Sequence, residues 1–74
     1  MPPHWWIPIK ASDPQTRKDD VGKALGKYSG ASLQSFWKTP DEQQLFAIVN
    51  ANELTHDLLR DIGANGKPIA VEDV

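Results

Sequence analysis

A two-layer α+β sandwich, with both helices on one face of a four-stranded sheet, is the fold class that three observations in this 74-residue chain predict. First, two apolar runs, Leu33 to Thr39 and Leu45 to Val49, flank the charged turn Pro40-Asp41-Glu42. That is the pattern of a β-hairpin with a loop of about 4 to 6 residues. Second, helix signals stand on either side of the hairpin, at Asp13-Pro14 and in the spacing of Leu54, Leu58, Leu59 and Ile62. Third, short apolar runs at Trp5 to Lys10 and Pro68 to Val71 read as a first and a last strand. The order is therefore strand, helix, strand, strand, helix, strand, in one domain spanning residues 1–74.

The first strand is bounded by Pro2-Pro3 and by Ser12-Asp13-Pro14. Alternation places Trp5, Ile7 and Ile9 on one face and Trp6 and Pro8 on the other. Proline cannot donate to a ladder, so Pro8 implies a bulge or a position away from the sheet centre. Asp13 is an N-cap acceptor, and Pro14 at the first helical position gives up an N–H that has no helical partner anyway. Val21, Ala24, Leu25 and Tyr28 then share one helical face, and Ser29-Gly30 is the expected stop. Gly22 and Gly26 cost up to about 1 kcal/mol each against alanine, which is best explained by close packing of the helix on the sheet. In the hairpin, alternation puts Leu45, Ala47 and Val49 against Phe46 and Ile48, and Leu33 with Trp37 against Phe36. The segment from Asn50 to Glu53 offers caps and an acidic start to the second helix, and Gly63 stands where a left-handed residue ends it. Asn65-Gly66 turns the chain into the last strand.

Composition narrows the function classes. A single short domain buries only about 60 % of its unfolded surface, so it gains from any partner surface. There is no cysteine, hence no disulfide or thiolate metal site. Eight basic residues scattered among ten acidic ones, net −2, disfavour nucleic acid, whose phosphates call for clustered Lys and Arg. No run approaches the roughly 18 apolar residues of a membrane span, and the start lacks a basic segment followed by an apolar one. The expectation is a cytoplasmic protein without membrane partners, metal or cofactor.

The hairpin and first strand are apolar on both faces, and two short helices cover only one. Three aromatic side chains left on the other represent about 10 kcal/mol of unrealised burial at about 25 cal/mol per Å². A second copy packed sheet to sheet is the simplest cover. The residues Ser35-Phe36-Trp37-Lys38-Thr39 running into an acidic turn, Leu45-Phe46-Ala47-Ile48-Val49-Asn50-Ala51, and a Leu-rich helix ending at Gly63-Ala64-Asn65-Gly66 resemble the GYD family. That family lies within the dimeric α/β-barrel superfamily, beside muconolactone isomerase and the antibiotic-biosynthesis monooxygenases. The resemblance spans Leu25 to Val71. Asp41-Glu42-Gln43-Gln44 departs from that family's glycine-centred turn, and the first helix is short. What the resemblance implies is a ferredoxin-like βαββαβ protomer, a homodimer whose sheets face one another, and a cleft of the kind that cofactor-independent oxygenases and isomerases use.

Candidate chemistry is sparse. His56 falls on the solvent side of its helix, and the row Glu53, Asp57 and Asp61 reads as a solvated face beside Arg60. The glycines match no phosphate loop, and no serine lies in a nucleophile elbow. The aromatic residues are the feature with functional reach, though packing accounts for most of them. The sharper expectation is an apolar cleft lined by Trp6, Phe36 and Ile48 and rimmed by His4, Gln34 and Lys10, suited to a small aromatic ligand. Two alternatives stand beside it. One is a non-enzymatic adaptor docking through its sheet. The other is single-stranded nucleic-acid binding in the manner of the RNA-recognition motif, which Leu45-Phe46-Ala47-Ile48-Val49 distantly echoes without that motif's basic and glycine residues.

Overall fold

The computed structural model describes residues 3–41 and 43–72. Met1, Asp73 and Val74, together with Pro2 of the first strand's flank and Glu42 of the hairpin turn, lie outside the described residues. The elements follow in the order β1 (His4–Ile9), α1 (Pro14–Leu25), β2 (Ser32–Lys38), β3 (Leu45–Asn50), α2 (His56–Asp61) and β4 (Ile69–Val71). One sheet results, in strand order β2-β3-β1-β4, with every neighbouring pair antiparallel.

Alternation along the two central strands builds the core. Ile7 and Ile9 of β1 and Leu45, Ala47 and Val49 of β3 are wholly buried, together with Val21, Ala24 and Leu25 of α1 and Leu58 and Ile62 from α2 and its cap. Both helices therefore lie on one face of the sheet. Trp5 shares that face, and its indole Nε1 donates to the Ala51 carbonyl at 2.9 Å, which satisfies the polar end of a half-buried ring.

Pro8 lies in a central strand, contrary to the simplest expectation, because the chain opposite it gives way. Ile9 pairs with Ala64 and Trp6 with Ile69, so residues 65–68 pass opposite Ile7 and Pro8 alone. The Pro8 carbonyl accepts from the Asn65 N–H at 3.0 Å, and in an antiparallel ladder N–H and C=O of one residue point the same way. The missing donor thus faces this excursion and leaves pairing with β3 intact. Gly66 passes over the proline: a Cβ there would meet Pro8 Cγ at 2.7 Å.

The helix ends bring two corrections. Asp13 caps α1 as expected, its carboxylate accepting from the Thr16 N–H at 3.0 Å and the Thr16 hydroxyl at 2.8 Å. These bonds, the hydroxyl's first, hold the Asp13 carboxyl below its usual range. The helix stops at Leu25, however, before the predicted Ser29-Gly30, and Tyr28 stands in the turn beyond it. Its hydroxyl donates to Asp61 at 2.6 Å, which ties the end of α1 to α2 and raises the phenol above its ordinary value. Helix α2 starts at His56, capped by the Thr55 hydroxyl on Leu58 N–H at 3.2 Å, and not within residues 50–53. Leu54 and Leu59, both half-buried against the core, stand at the spacing of a hydrophobic staple. Gly63, at φ +76°, closes the helix in a Schellman pattern: Gly63 N–H bonds Arg60 O and Ala64 N–H bonds Leu59 O. Close packing does not explain Gly22, where an added Cβ would meet nothing within 4 Å, because the helix turns it to solvent.

Candidate functional site

The face turned away from the helices gathers His4, Trp6 and Ile48, three of the residues expected at a cleft. Cross-strand partners share a face. Pairing therefore assigns to it His4, Trp6 and Pro8 of β1, Ser32, Ser35 and Trp37 of β2, Phe46, Ile48 and Asn50 of β3, and Ile69 and Val71 of β4. None of these positions carries a formal charge at neutral pH with His4 neutral, although 18 of the chain's 74 residues are Asp, Glu, Lys or Arg. Trp6 and Phe46 lie across the central strands with ring centroids 5.7 Å apart and planes inclined by 35°. Trp37 and Ile69 are more than half exposed, at 56 % and 55 %. The result is an uncharged, largely apolar surface open to solvent.

One irregularity decides which aromatic of β2 joins this surface. Leu33 pairs with Val49 but Ser35 with Ile48, so Gln34 is the extra residue of a β-bulge. Leu33 and Phe36 consequently both face the helices, where Phe36 packs against the core, and Trp37 faces out. Unbroken alternation had paired Leu33 with Trp37 and set Phe36 opposite, and the bulge reverses that. The Trp37 Nε1 donates to the Ser35 hydroxyl at 3.0 Å, a contact along the same face.

The bulge also aims Gln34 at β3, where Asn50 Nδ2 donates to Gln34 Oε1 at 2.8 Å. Next to this pair is a groove of about 240 Å³ lined by His4, Gln34, Ile48, Val71 and Glu72. Three of the residues expected at a cleft, His4, Gln34 and Ile48, thus meet in one groove, and Trp6 adjoins them as the β-sheet partner of Ile48. Two do not join. Phe36 lies on the helix side for the reason just given. Lys10 follows the opposite end of β1 from His4, six residues or roughly 20 Å along an extended chain.

Trp37, Asn50, Ile69, Val71 and Glu72 were missed by the sequence reading. Alternation of β4 from Ile69 would have found two of them. Nothing in the local pattern marks Gln34 as a bulge. A larger groove, about 320 Å³, runs between the end of α1 and the start of α2 past Tyr28, Asn52, Glu53 and Thr55, away from the apolar face.

At the hairpin, Asp41 accepts from the Thr39 hydroxyl and from the Gln43 N–H at 3.1 Å. Those two bonds, in that order, lower its carboxyl below the usual range and fix the turn that joins β2 to β3. The acidic row expected on α2 is occupied locally: Asp57 pairs with Arg60 at 3.0 Å, Asp61 with Tyr28, and Glu53 precedes the helix. His56 is exposed at the helix start. Among the described residues no group of three or more His, Cys, Asp or Glu could hold a metal ion, and no helix is long and apolar enough to cross a membrane. No family model and no curated protein matches the chain.

Proposed function

We propose that this chain is a ferredoxin-like protomer that works as a homodimer, packing open sheet face on open sheet face, and that the cleft between the sheets receives a small aromatic ligand. The observation that carries the reading is the absence of formal charge across a surface bearing Trp6, Trp37, Phe46, Ile48 and Ile69. A nucleic-acid partner needs Lys and Arg on the platform to meet phosphates, and here the aromatics of the central strands stand without them. A second copy offers the same uncharged surface, so two-fold packing removes both from water without stranding an ion. The resemblance to the dimeric α/β-barrel superfamily supports the same arrangement, and any chemistry in the cleft would be cofactor-free.

Light scattering across a concentration series tests the assembly. A mass twice that of the chain is expected, and a monomer at all concentrations above low micromolar would overturn it. Tryptophan fluorescence titrated with aromatic compounds tests the ligand, with a saturable change expected. A sound dimer without any such change would favour the adaptor reading instead, and a salt-dependent complex with poly-U would favour nucleic acid.

A further inference from the structure

We propose that the outer edge of β2 at Phe36 is a docking site for an extended segment of another protein, an acidic residue between two apolar ones, which adds to the sheet as a further antiparallel strand. The proposal goes beyond the reading above and does not rest on it, because strand order and pairing place this edge whatever covers the open face.

Hydrogen-bond alternation identifies the backbone groups that the edge presents. The Thr39 N–H donates to the Gln44 carbonyl at 3.0 Å, which marks those two as a hydrogen-bonded pair. In an antiparallel ladder such pairs alternate with pairs whose N–H and C=O point the other way. Trp37 therefore bonds across to Phe46, while Phe36, opposite Ala47, turns its N–H and C=O outward. The far side of β3 agrees: the Ala51 N–H bonds the Pro3 carbonyl, so Val49 and Ala47 bond toward β1 and Phe46 toward β2. β2 stands at the end of the strand order, so no described strand meets the outward groups of Phe36. The bulge at Gln34 confines regular pairing to the stretch from Ser35 onward.

The side chains at this edge set the chemistry of the segment. A notch of about 170 Å³ lies along it, lined by Pro14, Gln15 and Lys18 of α1 and by Phe36, Trp37 and Lys38. Its only formal charges are the two lysines, and Lys18 has no ion pair among the described residues. Cross-strand partners share a face, so a residue paired with Phe36 points toward the helices, on the side from which Lys18 lines the notch. A carboxylate suits that position, and the volume takes one side chain. Its two neighbours point to the open face beside Ser35 and Trp37, where the indole is 56 % exposed, and apolar residues suit them. In strand addition the main-chain bonds supply affinity and the alternate side chains specificity. A second copy joined edge to edge at this stretch would bring both copies' Lys18 and Lys38 together, so repulsion between like charges favours a foreign acidic segment.

The test is a titration of the full chain with the blocked pentapeptide acetyl-Thr-Val-Glu-Val-Thr-amide, followed by the backbone amide signals in NMR spectra. Saturable shifts centred on Phe36 are expected, with slowed hydrogen exchange of its N–H. Two altered peptides separate the contributions. One carries glutamine for glutamate, and the other a methyl group on the glutamate nitrogen, which removes the N–H that bonds the Phe36 carbonyl. Each should bind about tenfold more weakly, as should the original peptide to Lys18→Glu. Lys18 is exposed on α1, so that variant keeps its fold, which the same spectrum checks. Absence of saturable shifts, shifts centred on another surface, or undiminished binding of either altered peptide or by Lys18→Glu would overturn the docking site.

Discussion

The two faces of the sheet are written by alternate residues of the same strands, yet they are in different states of completion. Toward the helices, Ile7, Ile9, Leu45, Ala47 and Val49 have no solvent exposure, and the one indole there has its hydrogen bond. Toward solvent, Trp6, Phe46 and Ile48 are only half-buried and Trp37 is mostly exposed. Hydrophobicity alone does not separate these sets. What separates them is supply: the described residues form two helices, both spent on one side. The covered face carries the fold, and the open one is left to solvent.

That contrast is most directly broken by truncating matched residues. Ile7→Ala empties a fully buried site, and such substitutions cost about 2–5 kcal/mol. Against the roughly 4–11 kcal/mol expected for a chain of this length, urea denaturation should show a large loss of stability or outright unfolding. Ile48→Ala, one row away on the open face, should cost the isolated protomer less than half as much in the same measurement. Equal losses would mean that the open face is already part of a closed core. Trp37→Lys places a charge on the exposed face and should leave the protomer's circular dichroism unchanged while halving the mass seen by light scattering. A dimer unaffected by it would assemble through some other surface.

Smaller effects sharpen how the covered face is held. Gly63→Ala forces a left-handed residue to carry a Cβ, 3.0 Å from the Arg17 guanidinium. It should destabilise by about 1–2 kcal/mol in denaturant titrations, since Gly63 sets the end of the helix that supplies Leu58 and Ile62. Gly22→Ala should do the opposite, raising stability by about 0.5–1 kcal/mol, because its side chain enters open solvent within α1. The smallest effect is titration of the cap. The Asp13 carboxyl is lowered in the fold, so its contribution is complete above the ordinary value of 3.8 and is lost as pH falls through the lowered one. Acid denaturation of Asp13→Asn should therefore begin from a lower stability and show a shallower pH slope in that window.

The element order, the division of β1 and β3 into faces, the Asp13 cap and the Gly63 terminus were all legible because each rests on neighbouring residues. Periodicity in β3 and the Asp-Pro pair are local signals that no tertiary contact opposes. The failures came where a choice depended on something distant. Helix α2 starts at His56 because the Thr55 hydroxyl reaches Leu58 N–H, while the equally suitable Asn50 is committed to β3 and to Gln34. Pro8 is tolerated centrally only because residues 65–68 make room for it. The site was half legible for the same reason. His4, Gln34 and Ile48 belong together through strand pairing, whereas Phe36 was exchanged for Trp37 by a single bulged residue.

The bulge has a consequence for how such a surface changes over generations. Removing Gln34 alone would restore regular pairing with Leu33 and Phe36 still inward and Ser35 and Trp37 still outward, since the register on each side of it is already aligned. Deleting position 34 would therefore leave every other residue of the sheet on the face it now occupies. The hydrogen bond to Asn50 would go with it, while the scaffold on either side would stay as it is.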